Sequence, residues 1–397
     1  MEERTDEIVA TYRVLAAPGL ERRAEQMAVG MTVGSFTDLP AAAKTRLQEY
    51  RGRVLGIEED GVSARIRIGY PRRNLPAQLS ALLTVVFGKV SLDGEIRLEG
   101  LELSPSFLHE LPGPQHGVPG LRQRLGVPDR PLLMSIFKSE NGRRLDEWEA
   151  ALYDQWIGGA DLVKDDEIFF ADVDAPAQAR AEKARALAER VEAETGRRPL
   201  YVLNLTAPGP EMPEQAARLM EAGAEAFLVA PYTVGLDTLA ALGRLDPPPI
   251  LLAHPAFSGA FINAPGHGVD AAVALGELIR AAGADVGIYP SAYGAGGSVA
   301  VAPEAAGAIA RALTRPGARK AVWPAPSAGI HPGLVPALVR DVGPDVIINA
   351  GGAIHGHPGG TRAGAAAFRQ ALDRFLGSGG PVPDELAQAL ARWGGAA

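Results

Sequence analysis

The chain has 397 residues, of which 47% are apolar, with a formal net charge of −8 and no cysteine. Without a basic stripe the protein is not expected to bind nucleic acid, and without cysteine it forms neither disulfides nor thiolate metal sites. The N-terminus is acidic and lacks a signal-peptide core, and no apolar run is long enough to span a membrane, so we expect a soluble cytoplasmic protein with no membrane partner.

The first 110 residues mix two periodicities. Alternating apolar residues predict strands in "EIVATYRVLA", "SARIRIGYP" and "GEIRLEGLEL", whereas "ERRAEQMAVGM" and "PAQLSALLTVVFG" have the spacing of helices. A stretch rich in proline and glycine follows at residues 111–131. These patterns predict a small α+β domain over residues 1–115 and a second domain over residues 116–397.

The second domain repeats one unit, a short apolar run followed by a helical segment. The eight runs are "LLMSIFK", "DLVKDDEI", "LYVLNLT", "AFLVAP", "ILLAHP", "VGIYPS", "AVWPAPS" and "VIINAGG". Eight such units predict an α/β fold, a (β/α)8 TIM barrel whose active site lies at the carboxyl ends of its strands. A doubly wound open sheet is the alternative, but "KSENGRRL" follows the first run where that fold has a glycine fingerprint.

Polar residues stand at the ends of these apolar runs. Lys138 ends the first run, and Lys164, Asp165, Asp166 and Glu167 end the second. Lys164 and Asp166 are two residues apart and therefore share one face of a strand. Carboxylates this close repel each other unless a cation lies between them, and oxygen ligands favour Mg²⁺ over zinc. An ion pair between Lys164 and Asp166 is the alternative, and their spacing alone fits both.

The later runs end in residues that suit a phosphate. Glycine-rich sequences follow the seventh and eighth runs, beside Ser327, Gly351 and Gly352, and such loops in barrels commonly bind phosphate through backbone N–H groups. Tight turns and a helix cap are the alternatives for these residues. His254 ends the fifth run, where a hydrogen-bonded core histidine is the alternative to a functional one. Lys89 follows an apolar helix of the first domain, and its position alone predicts an exposed loop lysine.

Several longer motifs resemble the RuBisCO superfamily, and the resemblance runs nearly from end to end. These motifs are "MAVGMTVGSFTDLP", "LLTVVFGKVSLDG", "RPLLMSIFK", "GGADLVKDDEIFF", "LYVLNLT", "AHPAFSGAF", "PSAGIHPGLVP" and "NAGGAIHGHPGG". The pattern GG-D---KDDE is shared with the whole superfamily. "LLMSIFK" and "KDDEIFF" are similar to one branch, the RuBisCO-like proteins (form IV) that act as 2,3-diketo-5-methylthiopentyl-1-phosphate enolase in methionine salvage. The resemblance implies a barrel preceded by a ferredoxin-like domain, and an isomerase, a keto–enol tautomerase, as the function.

The resemblance also implies roles for single residues. Lys164 is expected to react with CO2 and form a lysine carbamate, which joins Asp166 and Glu167 as a ligand of Mg²⁺. Lys89 matches the family's proposed proton acceptor, with Lys138 as the second candidate. Asp165 matches a position that is not a metal ligand, and its expected role is to support the loop.

A substrate site and a dimer follow from the same resemblance. The residues expected to bind a small-molecule phosphate substrate are Lys138, Lys164, Asp165, Asp166, Glu167, His254, Ser327, Gly329, Gly351 and Gly352. In the family the small domain of a second subunit completes the barrel face. The resemblance therefore implies a homodimer in which Lys89 works across the subunit interface.

Two departures from the carboxylases change the expected reaction. The loop after the sixth run, "PSAYGAGGSVAVAPEA", has no lysine, and Pro255 stands where carboxylases place an arginine for a second phosphate. CO2 fixation is therefore not expected, and a substrate with one phosphate and a small apolar tail fits better. Two alternatives stay open: a RuBisCO-like isomerase for a different sugar phosphate, and a non-catalytic binding protein. The intact set of Lys164, Asp166 and Glu167 argues against the second.

Overall fold

The N-terminal part of the chain folds into an antiparallel sheet. The computed structural model describes residues 6–34, 40–170, 173–294 and 299–395. The first four strands are β1 (Glu7–Leu15), β2 (Arg53–Glu59), β3 (Ser63–Pro71) and β4 (Ile96–Glu102). β1 lies between β3 and β4 and is antiparallel to both, and β2 is the outer neighbour of β3. Every second residue of β1 is buried, from Ile8 to Val14, as the alternating pattern of the sequence predicts.

Helices cover this sheet, and one of them carries Lys89. The helices of this region are α1 (Leu20–Gly30), α2 (Ala41–Leu47), α3 (Leu79–Leu83) and α4 (Pro105–Glu110), with 3₁₀ turns at Gln48–Tyr50 and Arg72–Asn74. α3 continues into a π-helical turn (Thr84–Gly88) and a 3₁₀ turn (Lys89–Leu92). Lys89 therefore lies at the end of a helical segment, and its side chain is exposed.

Eight parallel strands form the second part of the fold. They are β5 (Leu132–Ile136), β6 (Leu162–Lys164), β7 (Leu200–Asn204), β8 (Ala226–Val229), β9 (Ile250–Ala253), and then, after a two-residue strand β10 (Gly268–Val269), β11 (Val286–Pro290), β12 (Trp323–Ser327) and β13 (Ile347–Ala350). The pairing order is β12-β11-β9-β8-β7-β6-β5-β13, and the two end strands lie against each other. All eight apolar runs are strands of one near-closed barrel, so the predicted α/β barrel is confirmed.

Helices surround the barrel and connect its strands. They are α5 (Gly117–Leu125), α6 (Leu145–Gly158), α7 (Ala177–Thr195), α8 (Met212–Glu221), α9 (Pro231–Val234), α10 (Leu236–Leu242), α11 (Gly259–Ile262), α12 (Ile279–Ala282), α13 (Pro303–Thr314), α14 (Val335–Val342), α15 (Gly352–His355), α16 (Gly360–Phe375) and α17 (Asp384–Trp393), with a π-helical turn at Val273–Leu278 and 3₁₀ turns at Gly209–Glu211 and Pro332–Leu334. Within the described ranges, no helix is both long and apolar enough to cross a bilayer.

The barrel interior is apolar along most of its length. Inward-facing residues such as Met134, Leu162, Val202, Ile288 and Ile347 form one buried cluster. Strand periodicity then places the next inward residues, which include Lys164, at the carboxyl end. The two-residue strand β10 leaves this part of the chain and pairs with β4 of the first sheet. A boundary at residue 115 stays a prediction, because the two parts share a sheet.

Candidate active site

A cavity of about 560 Å³ opens at the carboxyl ends of the barrel strands. It brings together residues that lie up to 257 positions apart in the sequence, from Ile136 to Trp393. The predicted site residues that line it are Lys138, Lys164, Glu167, His254, Ser327, Gly329, Gly351 and Gly352. The position of this cavity is the one that a parallel barrel favours for a ligand.

Lys164 is the least exposed of the lysine, histidine and glutamate residues that line the cavity. Its side chain is 1% exposed, and its Nζ donates a hydrogen bond to the backbone oxygen of Asp165 at 3.0 Å. The Oε2 of Glu167 is 3.8 Å from the same nitrogen. Burial lowers the pKa of Lys164, and this effect outweighs the opposing pull of the Glu167 and Asp166 carboxylates. A larger fraction of Lys164 is therefore in the neutral amine form than of a lysine in solvent.

The second carboxylate of the rim is paired with a lysine from the neighbouring strand. Lys138, just beyond β5, contacts Asp166 with its Nζ 2.5 Å from Oδ2. The backbone N–H of Asp166 donates to Oε2 of Glu140 at 2.6 Å. Glu140 is buried, and burial, followed by the nearby charge of Asp165, raises its pKa to about 10. Glu140 is therefore a neutral acid at pH 7, and it joins the β5 loop to the β6 loop.

Asp165 points away from the cavity into a buried polar network. Its carboxylate accepts hydrogen bonds from Arg180 at 2.6 Å, from the Tyr201 hydroxyl at 2.5 Å and from the backbone N–H of Asn204 at 2.8 Å. The side chain is completely buried. Asp165 therefore does not line the cavity, and neither does Asp166, whose carboxylate contacts Lys138. The contacts of Asp165 fix the backbone on either side of it, which carries Lys164 and Asp166.

His254 and Glu167 both line the cavity and are in contact with each other. The Nε2 of His254 is 3.3 Å from Oε2 of Glu167, and its Nδ1 accepts the backbone N–H of Ala256 at 3.2 Å. Burial lowers the pKa of His254 to about 3, so the imidazole is neutral. Since Nδ1 is an acceptor, the ring proton lies on Nε2 and is donated to Glu167. This contact is a hydrogen bond between a neutral ring and a carboxylate.

The glycine-rich loops form the opposite side of the cavity. Gly329 has a φ of +71°, a conformation that glycine adopts without strain. A Cβ atom on Gly351 would lie 3.1 Å from Cε of Lys138 and 3.2 Å from Cβ of Ile136. Glycine at this position therefore allows the Lys138 side chain to cross the end of β13. Gly352 begins the short helix α15, and Ser327 ends β12.

Lys89 is not part of this cavity within one chain. It lines a separate groove between α1 and the 3₁₀ turn Lys89–Leu92, with residues such as Arg23, Met27 and Leu92. The side chain of Leu92 is 85% exposed. One chain alone therefore does not bring the predicted proton acceptor to the predicted metal ligands.

Several cavity residues were missed by the sequence analysis. Asn349, His331 and Trp393 line the cavity as well. Asn349 follows Ile347 on the inward face of β13, so a polar residue at that position in the run "VIINAGG" was a usable signal. Trp393, at the end of α17, carried no such signal, because only the docking of α17 against the barrel places it there.

The charged residues at the rim resemble a metal site that lacks one ligand. In the described ranges, no three His, Cys, Asp or Glu side chains are grouped as metal ligands. Asp166 and Glu167 supply two carboxylates, and the buried amine of Lys164 lies beside them. Conversion of this amine to a carbamate would add the third anionic oxygen ligand that Mg²⁺ favours.

Comparison with known proteins identifies the family. Two protein-family models match the chain. The family model for the catalytic domain of the ribulose bisphosphate carboxylase large chain matches residues 117–295 and 314–393. The family model for its N-terminal domain matches residues 1–104. The chain belongs to the RuBisCO large-chain family. A relative from Geobacillus thermodenitrificans (strain NG80-2), named 2,3-diketo-5-methylthiopentyl-1-phosphate enolase, is 45% identical over 411 residues, which cover 98% of each chain.

Solved structures of the RuBisCO family have the same fold. A rubisco-like protein (MtnW) from Alicyclobacillus acidocaldarius is 47% identical, with a TM-score of 0.91 that covers 98% of this chain and 100% of that one. A dimeric archaeal Rubisco from Hyperthermus butylicus is 28% identical, with a TM-score of 0.86 over 99% and 97% of the two chains. The predicted resemblance to the family is therefore confirmed.

Proposed function

We propose that the protein is a 2,3-diketo-5-methylthiopentyl-1-phosphate enolase of methionine salvage. This isomerase converts the diketone into 2-hydroxy-3-keto-5-methylthiopentenyl-1-phosphate. The observation that carries the proposal is the cavity itself, in which Lys164, Glu167 and His254 face the glycine-rich loops. Relatives of this name that cover nearly the whole chain support the same reaction.

Mg²⁺ and a carbamate complete the proposed site. Asp166, Glu167 and Lys164, as its CO2 adduct, would hold the metal ion. The burial of Lys164 and the lowered pKa of its amine support the carbamate, because CO2 reacts with the neutral amine. Mg²⁺ in this position acts as a Lewis acid and stabilises the negative charge of an enolate oxygen. The neutral Nε2–H of His254 keeps Glu167 oriented toward the cavity.

The phosphate group would bind to the glycine-rich side of the cavity. The backbone N–H groups of Gly329, Gly351 and Gly352 and the hydroxyl of Ser327 are the proposed donors. Pro255 lines the cavity where a second phosphate would need a cation. A substrate with one phosphate and an apolar methylthio tail matches this distribution of polar and apolar walls. Binding the phosphate holds C1 in a fixed position for proton transfer.

The proton acceptor in this proposal is Lys89 of a second copy of the chain. Nζ of Lys89 would take one proton from C1, while the C1–C2 double bond forms and the C2 oxygen becomes an enolate. Protonation of that oxygen gives the enol, so no net proton is gained or lost. The exposed position of Lys89, outside the cavity of its own chain, supports a homodimer in which each barrel uses the partner's N-terminal region.

An assay with purified protein tests the proposed function. We expect turnover of 2,3-diketo-5-methylthiopentyl-1-phosphate that rises on addition of Mg²⁺ and bicarbonate together and falls on addition of a chelator. The gain in mass of one carbamate on Lys164, measured by trapping and peptide mass spectrometry, should follow the same dependence. Turnover of methylthioribulose 1-phosphate without turnover of the diketone would instead favour a different RuBisCO-like isomerase.

A further inference from the structure

Asn349 is a buried amide for which the protein provides no hydrogen-bond partner. It lies on β13 between Ile347 and Gly351, and its exposed fraction is 0%. Among the described residues, neither its Oδ1 nor its Nδ2 has a hydrogen-bond partner. An unpaired buried amide costs free energy, so native proteins rarely keep one unless a ligand or an ordered water completes it.

A second buried asparagine shows how the same chain satisfies an amide that has a structural role. Asn204 ends β7, and its Nδ2 donates to the backbone oxygen of Phe169 at 2.9 Å. Its Oδ1 accepts the backbone N–H of Thr206 at 3.2 Å. Asn204 therefore uses both amide atoms inside the protein. The amide of Asn349 lines the cavity and has no such partners.

Asn349 lies on the side of the cavity that carries Gly351 and Lys138. Asn349 and Gly351 are two residues apart and share the inward face of the chain, separated by roughly 7 Å along the strand. Cε of Lys138 passes over Gly351. Ile347, two residues before Asn349 on β13, belongs to the buried apolar cluster of the barrel interior. The amide thus lies deeper in the barrel than the glycine-rich loop and on the same side as Lys138.

We propose that Asn349 is a further substrate-contacting residue, whose amide binds the diketone oxygen nearer the phosphate-bearing carbon. This inference rests on the proposed function. Enolisation changes that oxygen from a carbonyl, which only accepts hydrogen bonds, into a hydroxyl, which also donates one. The Nδ2–H of Asn349 donates to the carbonyl oxygen of the substrate, and its Oδ1 can accept the hydroxyl of the enol. Because neither Nδ2 nor Oδ1 is used within the protein, the same amide can bind the carbonyl of the substrate and the hydroxyl of the product.

The Asn349→Leu substitution tests the contact, because leucine has a similar size and no polar atom. We expect kcat/KM for the diketone to fall roughly 10- to 100-fold, the effect of losing a buried hydrogen-bond partner. The melting temperature should stay the same or rise, since the substitution removes an unpaired amide. Asn349→Asp, which keeps the size and the acceptor atoms and loses the N–H donor, should reduce kcat/KM as well.

Asn204→Leu is the matched control for stability. It removes three internal hydrogen bonds, to the backbone of Glu167, Phe169 and Thr206, and should lower the melting temperature by several degrees. If Asn349→Leu lowered it equally, the amide of Asn349 would be a structural group and the inference would be wrong. Activity of both Asn349 variants within threefold of the unmodified enzyme would overturn it too. If the unmodified enzyme has no activity on the diketone, the proposed function is wrong. Failure of the proposed function is therefore distinguishable from failure of the inference about Asn349.

Discussion

The carboxyl group of Glu140 makes the stability of the site region depend on pH. Its pKa in the folded protein is raised to about 10 by burial, far above that of an unfolded glutamate. Its contribution is therefore fully present below about pH 4.5 and is lost as pH rises toward 10. Glu140→Gln keeps the hydrogen bond from the Asp166 N–H and cannot ionise. We expect this variant to be more stable than the unmodified protein at pH 9, by about 1 kcal/mol or more.

Urea unfolding at pH 5 and pH 9 measures this difference. The gain from Glu140→Gln should be large at pH 9 and small at pH 5. Glu189→Gln, at an exposed position of α7, is the control and should change neither value. An equal effect of Glu140→Gln at the two pH values would show that the folded protein does not hold Glu140 as a neutral acid.

The sequence indicated single site residues only where local position revealed them. Lys138, Lys164 and His254 were predictable because each follows apolar residues at a strand end. The network of Asp165, Arg180 and Tyr201 was not, since its members come from different elements and meet only through packing. Hydrogen-bond partners in a buried network are set by three-dimensional contact, and a single sequence does not encode them in a local pattern.

The turn after β9 holds an aromatic residue in a strained conformation. The backbone N–H of Ser258 donates to the oxygen of Pro255 at 3.0 Å, and Phe257 within this turn has a φ of +70°. Its side chain is 67% exposed, so little packing offsets the strain. A left-handed conformation costs an L-residue about 1–2 kcal/mol, and glycine avoids this cost but loses more entropy on folding. We expect Phe257→Gly to be about 0.5–1 kcal/mol more stable than Phe257→Ala.

Comparing these two variants by urea unfolding isolates the backbone effect, because both remove the aromatic ring. Phe257→Ala keeps a Cβ atom at the positive φ, and Phe257→Gly does not. An alanine variant as stable as the glycine variant would show that the turn is not strained at this residue.

Among the elements, those with a regular apolar period were predicted and those formed by tertiary contact were not. The eight barrel strands and β1, β3 and β4 were found from their runs. β2 was missed because none of its residues is buried, so it has no alternating apolar pattern. The two residues of β10 form a strand only because β4 lies beside them. The π-helical turn at Val273–Leu278 has no distinct spacing either.

At the scale of the whole molecule, the count of eight repeats predicted the barrel. The packing of the C-terminal helix α17 against the barrel was not predictable. The C-terminal helix α17 places Trp393 in the cavity. It is held there in part by His357, whose Nε2 lies 2.9 Å from the backbone oxygen of Glu385. The sequence of α17 shows an amphipathic helix and does not indicate which surface it covers.

The separation of Lys89 from the cavity leads to a prediction about pairs of chains. Two exposed apolar side chains, Ile168 (61%) and Phe170 (59%), directly follow Glu167, as a covered subunit surface requires. If each barrel uses the partner's Lys89, then Lys89→Ala and Glu167→Gln each inactivate both sites of a homodimer. A mixed dimer of these two variants regains one intact site, built from the unaltered barrel of one chain and the unaltered Lys89 of the other.

Co-expression or refolding of the two variants together measures this complementation. Random pairing makes about half of the dimers mixed, with one intact site each, so we expect about a quarter of normal turnover. Each variant alone should lose most of its turnover. Lys183→Ala, on α7, where Lys183 pairs with Glu149 and does not line the cavity, is the control and should keep normal turnover alone. The absence of any recovery in dimers shown to be mixed would mean that Lys89 does not act across the interface, and Lys138 would become the first candidate for the base.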